Sequence, residues 1–298
     1  MTHGVAENVI PDVAFKRVLV IRLSAIGDVV FASPLIEAIR RARPDAEVYW
    51  LAESTVAPLL KHHAGLKELL IWPRDEWRAL FRRGRLWQLS REVLSFRKKL
   101  RAHQFDLVLD VQGLLKSAVL AWMTGARARI GFRSKEPTGW LLTERVPKDL
   151  EPTISSEYRG LAEYIGLQTD EFSMTVPLSE AALGFAERVH DGQPYVVFCP
   201  FTTRPQKHWP EAHWRSLAET ALERGWRVVV LGAPADRPPA ERIFTGQAVE
   251  DKVGTCSLDE SAALVSRSSL VIGVDTGLTH MGWAFSVPVI ALFGSTCP

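Results

Sequence analysis

Two consecutive α/β domains, each a doubly wound parallel sheet of Rossmann type, are the fold class that this sequence predicts. The two would face each other across a central cleft. Three observations lead there. Short apolar runs alternate with segments of helical periodicity along the whole chain. The pattern loosens once, near the middle, and then starts again. Several of the apolar runs end in loops that carry acidic, basic or hydroxyl side chains, and the carboxyl ends of strands are where open α/β sheets bind ligands. A chain of 298 residues is long enough for two such domains.

Taken in order, residues 16–23 read as a buried strand and residues 24–28 as a turn that ends in Gly27-Asp28. Residues 29–43 have apolar positions at helical spacing and stop at Pro44. Strands are predicted at 47–51, 68–72 and 106–111, a helix at 113–124 and a short strand at 129–132. Residues 155–166 read as a helix closed by Gly166. The pattern loosens over 168–179, which divides the chain into domains 1–170 and 171–298. The second alternation has strands at 195–199, 227–231, 270–274 and 289–293. Its helices are expected at 211–224, 235–244 (despite Pro238 and Pro239), 258–266 and 278–285. The chain stops at Pro298 just past a strand, where a helix normally follows to cover the sheet, so a C-terminal segment is expected to be absent.

Hydrophobic residues make up 47% of the chain and charged residues 23%, the profile of a soluble globular protein. A net charge of +2 does not argue for nucleic acid. Cys199, Cys256 and Cys297 lie far apart, with no Cys-x-x-Cys pair, so neither a disulfide framework nor a zinc site is expected and a reducing cytoplasm is. No apolar run is long enough to cross a bilayer, and the N-terminus lacks the features of a signal peptide.

The strongest local signal is the run from Leu270 to His280. An apolar strand ends at Asp275, and Thr276-Gly277 opens a helix at once. That geometry leaves backbone N–H groups free at a helix N-terminus, which attracts phosphate. Asp275 or Thr276 as a plain helix cap is the other reading. Asp-Thr-Gly is also an aspartic protease loop, but those enzymes need two such loops in an all-β setting. Thr202, Thr203, Arg204 and Lys207 follow the first strand of the second domain, and two hydroxyls with two cations suit a diphosphate. Asp28 is a candidate general base, or a helix cap. Asp236 could take ribose hydroxyls or begin a helix, and Cys256 reads as a buried small residue rather than a reactive thiol. Clustered carboxylates at metal-ligand spacing are not visible, so no tightly bound metal or cofactor is expected.

Residues 74–103 are strongly biased. Ten Arg or Lys stand against three acidic residues, a formal +7, which leaves −5 for the rest of a chain whose total is +2. Trp77, Phe81, Trp87 and Phe96 interleave with these cations. A solvated helix face is the ordinary explanation of such a run, but its density favours an anionic partner. A phosphorylated glycolipid or an anionic membrane surface fits better than nucleic acid, because no nucleic-acid-binding module is visible.

Several stretches together resemble the bacterial lipopolysaccharide heptosyltransferases, glycosyltransferase family 9, and within it the heptosyltransferase I branch. They are Arg22 to Val29, Asp110-Val111-Gln112-Gly113-Leu114-Leu115-Lys116-Ser117-Ala118, Thr202 to Trp214, Gly232-Ala233-Pro234 and Val274 to His280, in the family's order over nearly the whole chain. The resemblance implies a GT-B glycosyltransferase of the inverting type, with ADP-heptose on the second domain and Kdo-bearing lipid A against the first. It implies Asp28 as the base and Lys207, with Thr203 and the backbone at Thr276 and Gly277, as the donor phosphate site. Thr202, Asp236, Cys256, Asp275 and His280 match donor-side positions. Trp77, Arg78, Lys116 and Lys135 match the acceptor side, and the stretches around them favour branch I over heptosyltransferase II. The chain departs from the pattern at Ala25, where Ser is common, and at Asp236, Cys256 and Cys297, which replace Glu, Met, and Asp or Ser. A monomer at the inner face of the inner membrane is expected. The rival readings are a heptosyltransferase II-like enzyme and a nucleotide-binding module without turnover. A dinucleotide oxidoreductase is disfavoured, since no Gly-x-Gly-x-x-Gly follows the first strand.

Overall fold

Residues 15–148 and 156–294 are described by a computed structural model of the protein. In the first sheet, Val18 to Ile21 of β1 (Arg17–Ile21) have no exposed surface, as a central parallel strand covered on both faces requires. The same apolar character builds β2 (Glu47–Glu53), β3 (Glu68–Trp72), β4 (Leu107–Asp110) and β5 (Ala128–Phe132). The three-residue edge strand β6 (Glu144–Val146) completes a sheet that is parallel throughout, in the order β3-β2-β1-β4-β5-β6. The order reverses between β1 and β4, so the loops leaving these two strands open at a switch point. Gln112, just after β4, ties the two loops together by accepting the N–H groups of Leu23 (3.0 Å) and Ser24 (3.2 Å).

The helices of this half are α1 (Ile26–Ala32), α2 (Pro34–Ala42), α3 (Arg74–Arg82), α4 (Leu86–Ala102), α5 (Leu115–Thr124) and α6 (Ser156–Tyr164). The single helix predicted over 29–43 is two helices that break at Ser33. Pro34 has no N–H for the preceding turn and sits at the start of α2, where that N–H is not needed. The turn predicted at 24–28 is shorter than expected, and Asp28 lies in the first turn of α1. On one face of the sheet, Leu19, Ile21, Tyr49, Leu51 and Val108 pack with Phe96 and Leu100 of α4 and Leu120 of α5.

The second half runs α7 (Glu180–His190), β7 (Tyr195–Cys199), α8 (Glu211–Glu223), β8 (Arg227–Val230), α9 (Arg237–Phe244), β9 (Glu250–Asp251), α10 (Leu258–Arg267), β10 (Leu270–Val274), α11 (Gly277–Ala284) and β11 (Val289–Leu292). Its five strands are parallel in the order β11-β10-β7-β8-β9, and the reversal lies between β7 and β10. Val196, Phe198, Val228, Val230 and Ile272 form one core with Trp214 of α8 and Ala240 and Phe244 of α9. Pro238 and Pro239 are tolerated because both fall in the first turn of α9.

The chain separates into two compact units. Among the described residues, one takes 15–24 and 31–173, and the other takes 174–294 together with 25–30. No helix of the described residues is long and apolar enough to cross a membrane. Cys297 lies outside the described residues.

Candidate active site

The second unit collects its chemistry-bearing residues where β7 and β10 leave the sheet side by side. β7 feeds the loop of Thr202 and Thr203, which ends in a 3-10 turn at Pro205–Lys207. His208 holds that loop in shape, with Nε2 2.9 Å from the Thr202 carbonyl oxygen. β10 ends at Val274, and Asp275 follows. The Lys207 ammonium reaches Asp275 Oδ2 at 2.5 Å, and His280 Nε2 lies 3.0 Å from Asp275 Oδ1. A carboxylate only accepts, so Nε2 of His280 carries the proton. The His280 ring in turn stacks on Trp283, with centroids 5.3 Å apart. Lys207 and Asp275 keep only 14% and 13% of their side-chain surface exposed, so the cation is held in place with little screening by water.

Beside this pair starts α11. Its N-cap, Thr276, is extended and its hydroxyl makes no cap bond, so the amides of the first turn are not taken by that side chain. Thr279 instead donates to the Val274 carbonyl at 2.8 Å. This close return needs Gly273, because a Cβ there would run into the Thr279 hydroxyl and lie 2.8 Å from the Cβ of Cys199. Burial pushes the Cys199 thiol up to about 12, so under this floor it is an inert packing group. A cation, an open helix N-terminus and a loop with two threonines make a site for an anion the size of a diphosphate.

Residues 25–30 belong to the same unit by their contacts. Gly27 packs on the His280 ring so closely that a Cβ would lie 2.5 Å from Cδ2. A Cβ on Gly277 would lie 3.0 Å from the Gly27 nitrogen. Asp28 is thereby near the Asp275–His280 pair in the chain's fold. Its Oδ2 accepts the Ala25 N–H at 3.2 Å, across the start of α1.

Asp236 closes the turn that begins at Ala233. Its Oδ2 accepts the Ala233 N–H at 2.8 Å, although it remains half-exposed at the end of the loop after β8. Cys256 is half-buried rather than buried, with its sulfur 3.9 Å from the Thr255 hydroxyl, because it sits in the surface turn before α10. Thr203 is exposed. In the first unit, Trp77 and Lys116 line one cavity, while Arg78 and Lys135 are exposed. Lys116 Nζ is 3.3 Å from Glu53, and Arg74 donates to the same carboxylate at 2.9 Å. This buried anchor for Lys116 was not foreseen, since nothing in the spacing of residues 53, 74 and 116 shows it. The Lys207–Asp275 ion pair was also missed as a pair, although the adjacency of the two predicted strand ends could have suggested it. Among the described residues, no group of three or more His, Cys, Asp or Glu could hold a metal ion.

Comparison with known proteins agrees with this architecture. Residues 93–298 match the model of glycosyltransferase family 9 (heptosyltransferase). Lipopolysaccharide heptosyltransferase 1 of Pseudomonas aeruginosa is 33% identical, over 95% of this chain and 79% of its own length. Lipopolysaccharide heptosyltransferase 2 of Escherichia coli is 25% identical, over 95% of this chain and 84% of its own. The solved E. coli heptosyltransferase WaaC with ADP-2-deoxy-2-fluoro heptose superposes with a TM-score of 0.74 at 27% identity, covering 95% of this chain and 90% of that one. The fold is GT-B, two Rossmann-like α/β domains, and the chain belongs to glycosyltransferase family 9, the heptosyltransferases.

Proposed function

We propose that the protein transfers heptose from ADP-heptose, with inversion, to Kdo of the lipopolysaccharide inner core. The observation that carries this reading is the Lys207–Asp275–His280 group beside the open start of α11, at the switch point of the second sheet. The donor diphosphate meets Lys207, the threonine loop and the amides at Thr276 and Gly277. Asp236 and Cys256 border the nucleoside. Asp28 takes the proton of the acceptor hydroxyl as that oxygen attacks the anomeric carbon. The bond from that carbon to the diphosphate breaks, and ADP leaves with its new charge held by Lys207 and the helix amides. Asp275 has a double role here. It keeps the ammonium in position, and it yields part of that cation's attraction as the phosphates arrive.

The acceptor in this reading is Kdo-bearing lipid A on the first unit, with Trp77, Arg78, Lys116 and Lys135 around it. The higher identity to heptosyltransferase 1 than to heptosyltransferase 2 supports this acceptor over one that already carries heptose. The protein then works as a monomer at the inner face of the inner membrane, and the basic α3 and α4 meet the anionic surface. Release of ADP from ADP-heptose is the test. Release that requires Kdo-lipid A is expected, and release only with a heptosylated core would reassign the chain to the second branch. No release with either acceptor would reject the reading.

A further inference from the structure

The first unit holds a cavity of about 560 Å³, lined in part by Trp77 and Lys116 of the proposed acceptor side. That volume falls within the range of roughly 300–1,000 Å³ seen for small-molecule sites. Trp72 from β3, Trp77 from α3, Val93 from α4, and Val119 and Met123 from α5 line it, and Lys116 and Glu136 are its two charged residues. Trp72 and Trp77 meet edge to face at 6.0 Å, and Trp77 meets Phe96 in the same way at 5.6 Å, so one wall is a continuous aromatic surface. The indole N–H groups of both tryptophans are buried and have no hydrogen-bond partner among the described residues. Lys116 is held over the Trp72 ring at 5.7 Å and tied to Glu53.

We infer that this cavity takes one acyl chain of the anionic glycolipid acceptor, with Lys116 against a phosphate or carboxylate of its head. The chemistry of the lining matches an amphiphile. Apolar walls take methylenes, and Lys116 at the margin takes an anion. The surroundings favour a lipid as well. Phe81 and Trp87, on the neighbouring α3 and α4, are 66% and 70% exposed among basic residues, so the cavity adjoins a surface suited to an anionic membrane. The inference rests on the acceptor reading above, and its test separates the two.

Val93→Phe and Val119→Trp fill the cavity from two different helices. Transfer would be followed with acylated Kdo-lipid A and with the same saccharide fully deacylated. The wild-type protein should show a KM at least about tenfold lower for the acylated acceptor, since each buried methylene is worth about 0.8 kcal/mol. Both variants should erase most of that difference and leave KM and kcat for the deacylated acceptor unchanged. An equal KM for the two acceptors in the wild type, or an equal rise for both in the variants, would overturn the inference. A second arm uses 11-bromoundecanoate as the probe and reads quenching of indole fluorescence. Saturable quenching that Val93→Phe abolishes, with an unchanged thermal midpoint, supports the acyl cavity even if no transfer occurs, in which case the acceptor reading alone fails. Quenching that Val93→Phe does not alter would overturn the cavity's assignment while leaving transfer intact.

Discussion

At the scale of single residues, the site is arranged so that one cation and one carboxylate can be changed with separable effects. Asp28 sits in the first turn of α1, where its Oδ2 accepts the Ala25 N–H. Asn in its place can still accept that bond but cannot take a proton. Asp28→Asn is therefore expected to keep the fold and donor affinity and to lower kcat by roughly 10²–10⁴-fold, the usual span for loss of a general base. Steady-state turnover beside calorimetric ADP affinity makes the comparison, and near-normal turnover would remove Asp28 from that role. In the proposed mechanism Lys207 acts on bound and departing phosphates alike, so Lys207→Ala should weaken ADP binding and slow transfer together. The same change strands Asp275 without its ammonium at a site that is 13% exposed. Asp275→Asn then becomes informative. Alone it loosens Lys207, and in the Lys207→Ala background it should recover part of any lost thermal stability. Additive losses in the double variant would show that the two residues do not depend on each other.

At the scale of elements, the start of α5 has the same kind of internal wiring. Asp110, at the end of β4, is wholly buried and accepts from Ser117 Oγ (3.0 Å), Gln112 N (3.1 Å) and Gly113 N (3.3 Å). Burial pushes its carboxyl up from an ordinary 3.8 to about 6, against the hydrogen bonds, which pull it down. The sign follows from proton binding. Between about pH 4 and pH 6 the folded state holds a proton that the unfolded state has lost, so this group's contribution is complete below about pH 4 and declines as pH rises through 6. The difference in urea midpoint between wild type and Asp110→Asn should change across that window and be flat above it. Asp110→Ala removes the same titration and also leaves two backbone N–H groups without their acceptor, so its cost should be largest below about pH 4 and shrink across the same window. None of this wiring could be read from the sequence, where Asp110 fell within the strand predicted at 106–111 and opened one of the stretches that resemble the family. The strands that were most legible, such as β1, β7 and β10, are apolar runs buried against neighbours on both sides. β6 and β9 were not, because edge strands of three and two residues leave no pattern to see. α7 was missed for another reason. Its buried positions are Ala182 and Ala186, too small to mark a face by hydrophobicity. At the site, Asp275, Thr276 and Lys207 were legible because loops at strand ends stand out chemically. The contact of Gly27 with His280 was not, since it joins residues 253 positions apart.

At the scale of the whole molecule, the charge is divided unevenly, and that division makes the last prediction selective. Residues 74–103 carry +7 in a chain of net +2, and they form α3 and α4. α3 buries none of its residues, and α4 buries only Phe96 and Leu100. Phe81, Leu86, Trp87 and Leu94 are all more than half exposed between the cations. A solvated helix face would account for the charge but not for four large apolar side chains left in water. Trp77 is a separate case, since it packs against Phe96 and belongs to the core. Attraction to an anionic surface is worth about 1 kcal/mol for each Lys or Arg near it and fades with salt. Neutralising Arg78, Arg82, Arg83 and Arg85 together should therefore weaken sedimentation with anionic vesicles by two or more orders of magnitude at low salt. It should also raise the acceptor KM. Replacing Phe81 and Trp87 by Ser should weaken vesicle binding with little dependence on salt, because that contribution is apolar. ADP affinity should be unchanged in both variants, since every residue proposed to hold the donor lies in the other unit. Loss of ADP binding would mean that these helices hold the fold together, and unchanged vesicle binding at low salt would mean that their charge meets only water.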